Sequence, residues 1–345
     1  MTRGSRRSKS AVTLRMVAAH AGVSPMSVSN VLNGRAASEK VRNKVRAAID
    51  ELGYVPNRAA RQLASAAPMF VGLVHVNDEH PISAALLTGA LTAASRLGVQ
   101  LLLQPILFAE IESGWEVVQA LRARGAEAII LPPVFGEDMA RTLDPDLIGF
   151  PMLCVGAADA MPSMSTVRMD EFTAAKDVTA RLIAKGHRRI GFIRVPERYP
   201  IHHPRGGGYL AALEAHGMVA DPDLIVEGEF WFQEGLEAAT KLLALADPPT
   251  AIFASNDEMA MGALAAAHMR DIAVPDRLAI VGFEDNYFAR NVWPALSSVK
   301  IPMAAMAERA MEILVREIGE ERPASFPATS TMVAHHIYWR ASTGD

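Results

Sequence analysis

Apolar residues near the N-terminus recur at helical spacing in two short runs, 14–20 and 25–33. The positions spaced to bury one face of these runs and their corner are Val17, Ala18, Ala21, Val23, Val28, Val31 and Leu32. Gly22 lies in the corner between the runs, where a tight turn between helices needs a permissive backbone. Ser24 is a favourable N-cap and Pro25 a favourable first helical residue. The pattern predicts a helix-turn-helix; an alanine-rich helical hairpin without a binding role is the alternative.

The outward face of the second helix carries short, mostly polar side chains: Pro25, Met26, Ser27, Ser29, Asn30 and Asn33. Such side chains can enter the major groove of DNA. Asn30 can pair with adenine through two hydrogen bonds, whereas Met26 and Pro25 can make only apolar contacts, for example with thymine methyl groups. These residues are therefore the candidates for reading DNA sequence.

Beyond a third helix that begins at residue 38, apolar runs typical of strands alternate with helical segments. Strands are predicted at 70–76, 99–103, 128–131, 151–155, 189–194, 251–254 and 278–282. Helices are predicted near 84–96, 115–123, 138–143, 174–185, 208–215, 233–245 and 259–268. Strands separated by helices predict parallel sheets covered on both faces. Because the alternation restarts near residue 174, we expect two doubly wound α/β subdomains with a cleft between them.

Charge divides the chain into two parts. Residues 1–65 contain 12 Lys and Arg against 3 Asp and Glu, and the remainder contains 22 basic against 35 acidic residues. The net charge of −4 therefore hides a basic module joined to an acidic body. This division is typical of a polyanion binder with a sensor or partner domain. Residues 1–11 lack periodicity and are predicted to form a basic disordered tail.

Several classes of protein are disfavoured. The tail lacks the apolar segment of a secretory signal, and no apolar run approaches the roughly 18 residues of a membrane span; we expect a cytoplasmic protein that does not contact membranes. Cys154 is the single cysteine, which excludes an intramolecular disulfide. The adjacent pairs His202-His203 and His335-His336 would point their rings apart, so neither a metal nor a cofactor is expected. GxSxG, Walker and HExxH motifs are missing, which argues against an enzyme.

Residues 12–64 follow the pattern VTxxxVAxxAGVSxxxVSxVLNG…ELGYVPNxxARxLA. This long pattern resembles the DNA-binding headpiece and hinge of the LacI family. Further segments of the body also resemble that family: AKGHRRIG at 184–191, ASNDEMAMGA at 254–263, VPD through VGF at 274–283, and LSSV at 296–299. The resemblance covers nearly the whole chain.

The resemblance implies a domain order. An all-α helix-turn-helix headpiece is expected at 12–55, a hinge helix and linker at 56–67, and a periplasmic-binding-protein-like α/β core at 68–345. In that core, the N-subdomain is expected to contain about 68–167 and 299–326, and the C-subdomain about 168–298 and 327–340.

The resemblance also implies DNA contacts outside the recognition helix. Leu63 matches a leucine that the family inserts into the minor groove from a paired hinge helix, although a leucine packed on the core is the alternative. Arg58 and Arg61 flank it and would contact phosphates. The remaining residues expected at the DNA are Thr13, Ser24, Tyr54 and Asn57.

An effector site is implied in the cleft of the core. Arg205 would hold effector oxygens there, unless it lies in a solvated loop. Asn256 would bond effector hydroxyls, unless it only caps the following helix. Val76 is expected to line the site. Phe230 or Trp231 could stack on a ring, although a core role is equally open.

Departures from the family pattern bear on the ligand. Gly156-Ala157 stands where sugar-binding relatives often carry an aspartate, and Glu284 replaces the usual aspartate after VGF. Arg168 occupies a position where relatives often carry an aromatic or small residue. With Arg205, it would make the cleft more positive and favour a carboxylate. A sugar acid therefore joins neutral carbohydrates as a candidate effector.

Together these features predict a ligand-responsive transcriptional repressor of a catabolic operon. Its partners would be a near-palindromic DNA operator and a small-molecule effector. No leucine heptads follow Arg340, so a homodimer is expected rather than a coiled-coil tetramer. A solute-binding protein or an α/β enzyme on the same core are the alternatives; the headpiece and the missing export signal and catalytic motifs argue against them.

Overall fold

The structure is a computed structural model that describes residues 13–32, 38–52, 68–76, 80–107, 114–143, 149, 151–319 and 328–345. It divides into two compact units, Met1–Pro68 and Met69–Asp345.

The described helices are α1 Leu14–Ala21, α2 Pro25–Leu32, α3 Glu39–Leu52, α4 Pro81–Leu97, α5 Gly114–Ala123, α6 Gly136–Arg141, α7 Glu171–Ala184, α8 His202–Ala215, α9 Phe232–Leu243, α10 Asp257–His268, α11 Tyr287–Asn291 and α12 Met303–Gly319. The described strands are β1 Phe70–Val76, β2 Gln100–Ile106, β3 Ala128–Leu131, β4 Met152–Val155, β5 Ser165–Met169, β6 Ile190–Arg194, β7 Ile225–Glu227, β8 Ala251–Ala254, β9 Ala279–Glu284, β10 Ser297–Lys300, β11 Ser330–Val333 and β12 His336–Tyr338.

The first unit is a three-helix headpiece, and it confirms the predicted helix-turn-helix. Gly22 ends α1 in the left-handed region at φ 63°, a conformation that glycine adopts without steric cost. The helices bury a small apolar core made of Val17, Ala18, Ala21, Val28, Val45 and Ala48. The helical spacing of the apolar residues therefore produces one shared core, as the sequence pattern predicted.

The second unit contains two six-stranded sheets within its described residues. The first has the strand order β11-β5-β4-β3-β1-β2, and all its pairings are parallel. The second has the order β12-β10-β9-β8-β6-β7 and is parallel except for β12, which runs antiparallel to β10. The two predicted doubly wound α/β subdomains are confirmed.

The division between the subdomains differs from the predicted one in its C-terminal part. The predicted C-subdomain included 327–340, but β11 at 330–333 pairs with β5 of the first sheet. Only the later strand, β12, joins the second sheet. The first subdomain also extends to Met169 and the second to Lys300, because β5 and β10 end at those residues. The chain thus crosses between the subdomains near residues 170, 301 and 334.

Helix α8 begins six residues earlier than the predicted 208–215 and contains three consecutive glycines. Glycine disfavours helices in isolation, but here a packing contact requires it. A Cβ at Gly208 would lie 2.3 Å from the carbonyl oxygen of Phe172 in α7. Because α7 and α8 pack this closely, position 208 has no room for a side chain larger than that of glycine. None of the helices in the described segments combines the length and apolar character needed to cross a membrane.

Candidate functional site

The exposed face of α2 carries the side chains that were predicted to read DNA. The Ser24 hydroxyl accepts a hydrogen bond from the Ser27 amide at 3.0 Å and so caps the helix. Met26 is 69% exposed, Pro25 is exposed and Asn30 is half-buried, whereas Val28 is fully buried. The helix therefore presents Pro25, Met26 and part of Asn30 on its outward side and fixes Val28 in the core.

Other predicted DNA contacts are placed only in part. Thr13 is exposed and caps α1, with its hydroxyl accepting from the Met16 amide at 3.4 Å. The side chain of Ser29 is not described. Six predicted contacts lie outside the described residues altogether: Asn33, Tyr54, Asn57, Arg58, Arg61 and Leu63.

The second unit contains a cleft at the carboxyl ends of strands of both sheets. Its volume is about 850 Å³, including the part that is open to solvent. Its described lining comes from both subdomains: Val76, His80, Ile82, Ser83, Leu86, Pro132, Pro133, Val134, Phe135, Gly156, Met169, Glu171, Ile201, Arg205, Phe230, Trp231, Glu284, Ile301, Met303 and Met306. Ligands bind at this edge in open α/β sheets. Four predicted effector residues, Val76, Arg205, Phe230 and Glu284, are among those that line it.

Arg205 extends from α8 into the wall of the cleft, where it forms a buried ion pair with Glu171. Its Nε and Nη2 atoms donate to the two carboxylate oxygens of Glu171 at 2.8 and 3.0 Å. Its Nη1 atom donates to the carbonyl oxygen of Ser255, and its guanidinium lies 4.2 Å from the centre of the Phe283 ring. The arginine is 3% exposed, so it lies in the wall of the cleft and not in a solvated loop.

Glu284 ends β9 with a backbone φ of 116°, in the region that side-chain-bearing residues seldom adopt. Its carboxyl group is almost fully buried, and its polar contacts with His80 and Asn286 are long. His80 Nε2 lies 3.6 Å from Oε1, and Asn286 Nδ2 lies 3.5 Å from Oε2. Burial raises the pKa of Glu284 to about 8, and the Arg205 charge opposes that rise in part. The His80 contact joins the two subdomains across the cleft.

Asn256 is not among the described residues that line the cleft, and its bond to effector hydroxyls stays a prediction. It is fully buried, and its side-chain oxygen accepts from the Met259 amide at 2.9 Å to cap α10. Its Nδ2 donates to the carbonyl oxygen of Phe230 at 2.7 Å. That bond holds Phe230, which has a φ of 72°, in the cleft wall. Asn256 therefore positions a lining residue.

Arg168 is not among the described lining residues either, so the structure lends its predicted role in the cleft no support. Side chains alternate along a strand, and the next residue of β5, Met169, is the one that lines the cleft. The Arg168 Nε atom instead donates to the Ser330 hydroxyl of β11 at 3.0 Å. The structure therefore does not bring Arg168 and Arg205 together.

Several lining residues were missed by sequence reasoning, notably His80, Val134, Phe135 and Glu171. Val134 and Phe135 follow β3, and the rule that ligands bind beyond strand carboxyl ends could have found them. Val134, like Phe230 and Glu284, has a positive φ, at 70°. Backbone strain of this kind concentrates at ligand sites. Nothing local in the sequence marks Glu171 as the partner of an arginine 34 positions away.

Two family models match the chain. Residues 13–57 match the model described as bacterial regulatory proteins, lacI family. Residues 179–343 match a periplasmic binding protein-like domain. The first match covers the headpiece, and the second covers most of the C-subdomain together with α12 and β11.

Curated relatives extend the similarity over nearly the full length. The HTH-type transcriptional regulator AscG of Escherichia coli is 33% identical over 306 residues, which cover 88% of this chain and 91% of AscG. The HTH-type transcriptional regulator CelR of Thermobifida fusca is 34% identical over 321 residues, covering 90% and 92%. A solved complex of CelR with cellobiose superposes with a TM-score of 0.70 at 30% identity, covering 96% of this chain and 99% of that one. The chain therefore belongs to the LacI family of bacterial transcriptional regulators, which bind DNA through the N-terminal helix-turn-helix.

Proposed function

We propose that this regulator is an effector-controlled repressor that binds a near-palindromic operator as a homodimer. The observation that carries the proposal is a cleft lined by both subdomains of a core that follows a DNA-binding headpiece. A ligand in such a cleft contacts both walls and so favours their closed arrangement. We expect closure to weaken the specific grip of the headpieces on DNA. A protein with this role acts where the DNA is, in the cytoplasm.

The segments that connect the two subdomains and the contacts of His80 between them both support control by closure. The chain crosses between the subdomains at three short segments, near residues 170, 301 and 334. Short crossings of this kind can absorb a hinge motion. His80 of the first subdomain faces Glu284 of the second at 3.6 Å, and its ring meets that of Trp231 edge-on with 6.1 Å between the ring centres. A ligand at this point would change contacts on both sides at once.

The ligand is proposed to be a small organic molecule. The solved CelR relative holds cellobiose, which makes a small molecule the expected class. The sugar-acid hypothesis depended on Arg168 facing the cleft together with Arg205, and it loses that support because Arg168 bonds Ser330. We also propose that the chain has no enzymatic activity, because its curated relatives are regulators and two charged groups of the cleft, Arg205 and Glu171, are paired with each other.

The proposal is tested with the full chain and DNA from upstream of its own gene, by fluorescence anisotropy with a scrambled duplex of the same length as control. Specific binding should be at least 1,000-fold tighter than binding to the scrambled duplex, as is typical of sequence-specific regulators. The stoichiometry should be two chains for each operator. Equal affinity for both duplexes would contradict the proposal, and so would one chain for each operator.

A further inference from the structure

We propose that the cleft is built for a small organic amine, with its protonated nitrogen at the Glu284 carboxylate and an apolar ring against the rest of the wall. The inference rests on the proposed effector role of the cleft and specifies its ligand class. It is carried by the composition of the wall, by its charges and by the geometry around Glu284.

The wall is mainly apolar. Among the described lining residues, the polar side chains are those of His80, Ser83, Glu171, Arg205 and Glu284. Arg205 donates two hydrogen bonds to the carboxylate of Glu171 and a third to the carbonyl oxygen of Ser255. A sugar presents hydroxyl groups around its whole ring, and each would need a partner once buried. This wall suits a ligand with one polar end better than it suits a polyol.

The charges of the wall disfavour an anion. The only guanidinium among the described lining residues, that of Arg205, is already neutralised by the two oxygens of Glu171. An incoming carboxylate would also meet the second acidic group, Glu284. Burying a charge without a partner is costly. Within the described part of its wall, the cleft therefore has an acidic group that can receive a cation and no unpaired cation that could receive an anion.

Glu284 differs from its neighbour Asp285 in its counter-charges. Asp285 receives Arg340 Nη2 at 2.6 Å and has Lys300 Nζ at 3.8 Å. Glu284 has His80 and Asn286 at 3.6 and 3.5 Å, which exceed normal hydrogen-bond lengths. An ammonium group at this point would give the carboxylate a donor at hydrogen-bond length. It would also supply the opposite charge that the ionised carboxylate requires.

Two aromatic residues lie in the same cleft wall as Glu284. Trp231 and Phe230 follow one another in the wall, and Trp231 is 37% exposed. The negative face of an aromatic ring attracts ammonium groups. Together with a buried acid, these rings favour a protonated amine over an alcohol of the same shape.

Binding of an ammonium group should release a proton. The groups around Glu284 are His80, Arg205, Glu171, Glu258, Asn286 and Asp257. Burial raises the pKa of Glu284 to about 8, so the carboxyl holds a proton at pH 7. A bound ammonium would lower that pKa and expel the proton to solvent. Amine affinity should therefore rise between pH 6 and pH 8 and level off above.

The test uses four probes on the full-length protein by titration calorimetry at pH 7.5. Three share one ring: 2-(1-naphthyl)ethylamine, 2-(1-naphthyl)ethanol and 1-naphthylacetate. The fourth is cellobiose. We expect the amine to bind at least tenfold more tightly than the alcohol and the acetate, and more tightly than cellobiose. Heats measured in phosphate and Tris buffers should differ by the release of up to one proton for each amine bound.

Variants locate the effect at one carboxyl group. Glu284→Gln should weaken the amine at least tenfold and remove the proton release, while the affinity for the alcohol changes less than threefold. Glu214→Gln makes the same chemical change on the exposed face of α8 and should leave all four affinities unchanged. The wild-type comparison needs no variant, so it decides the matter even if Glu284→Gln does not fold.

The contrary outcomes are equally definite. The inference is overturned if the amine does not bind at millimolar concentration, or if the alcohol, the acetate or cellobiose binds as tightly as the amine. Specific DNA binding without amine binding would refute the ligand class and leave the repressor proposal intact. Amine binding without any change in DNA affinity would refute the effector role and leave the ligand class intact.

Discussion

Arg205 and Glu171 form a bidentate ion pair in the wall of the cleft, with donor–acceptor distances of 2.8 and 3.0 Å. The pair joins the start of α7 to the first turn of α8, and both residues are more than 90% buried. Its first consequence is electrostatic, because the arginine offers a ligand no net positive charge. Its second consequence is structural, because neither partner can be removed without leaving the other uncompensated.

Removing one partner of this pair should destabilise the core. We expect Glu171→Gln to lower the free energy of unfolding by about 3–5 kcal/mol, because a buried guanidinium loses its counter-charge. The double variant Glu171→Gln/Arg205→Met should recover part of this loss. Urea denaturation followed by circular dichroism measures both. Glu312→Gln, which breaks half-exposed pairs with Arg96 and Arg309, is the control and should cost less than about 1 kcal/mol. A change below 1 kcal/mol in Glu171→Gln would show that the pair is not held as described.

The recognition helix gives a prediction about DNA specificity. Asn30→Ala should reduce discrimination at one base position of each half-site by about 1–3 kcal/mol, because the amide can no longer pair with adenine. Binding to a series of single-base operator variants measures this. Lys40→Ala, a charge removal on exposed α3, should weaken all duplexes alike or none of them. An unchanged discrimination profile in Asn30→Ala would rule out its role in reading bases.

Two residues of α2 should separate stability from DNA contact. Val28→Ala should lower the free energy of unfolding of the headpiece by about 1–3 kcal/mol, because Val28 is fully buried in a very small core. Met26→Ala should leave that free energy nearly unchanged, because Met26 is 69% exposed. Thermal denaturation compares the two variants. Similar melting temperatures for both would contradict the assignment of faces.

Two glycines of α8 should respond to alanine in opposite directions. A Cβ at Gly208 would meet backbone and side-chain atoms of α7 at 2.3–2.9 Å, so Gly208→Ala should destabilise the core by about 1–3 kcal/mol. A Cβ at Gly206 would meet only Phe192, at 3.9 Å. Gly206→Ala should therefore stabilise the helix by up to about 1 kcal/mol. Equal effects in chemical denaturation would contradict the close packing of α7 and α8.

The buried carboxyl of Glu284 should make the core less stable as pH rises. Its pKa is raised by burial to about 8 from the ordinary 4.5, so the native state holds a proton that the unfolded chain releases in that window. The resulting stabilisation is complete below pH 4.5 and is lost as pH approaches 8, at no more than about 1.4 kcal/mol for each pH unit. The pKa of Asp257 is raised in the same direction by burial and by the Glu284 charge.

Denaturation of the ligand-free core at several pH values between 5 and 8 checks this slope. Glu284→Gln should make the slope shallower but not abolish it, because Asp257 still titrates. Glu214→Gln should keep the wild-type slope. A core whose stability rises through this window would contradict the described burial of Glu284.

The sequence alone determined the headpiece and the class of the core. The helices of residues 14–32 follow from the spacing of Val17, Ala21 and Val28 and from the Ser24 cap, because each of these signals is local. The central strands β1, β3, β6 and β8 were predicted within one or two residues, because buried parallel strands are continuous apolar runs. Glu284, at the end of β9, was assigned to the cleft through the family pattern, in which an acidic residue follows VGF.

Tertiary structure alone decided which side chains meet in that cleft. Strands β5, β10, β11 and β12 contain polar residues and are not continuous apolar runs, and their places depend on partners far away in the chain. A strand alternates its faces at every residue, so sheet register turned Met169 into the cleft and Arg168 towards Ser330. Helix packing brought Glu171 to Arg205. Sequence periodicity predicts which face of a helix or strand a residue occupies. The charge that the cleft wall presents to a ligand depends instead on contacts between residues that are distant in sequence.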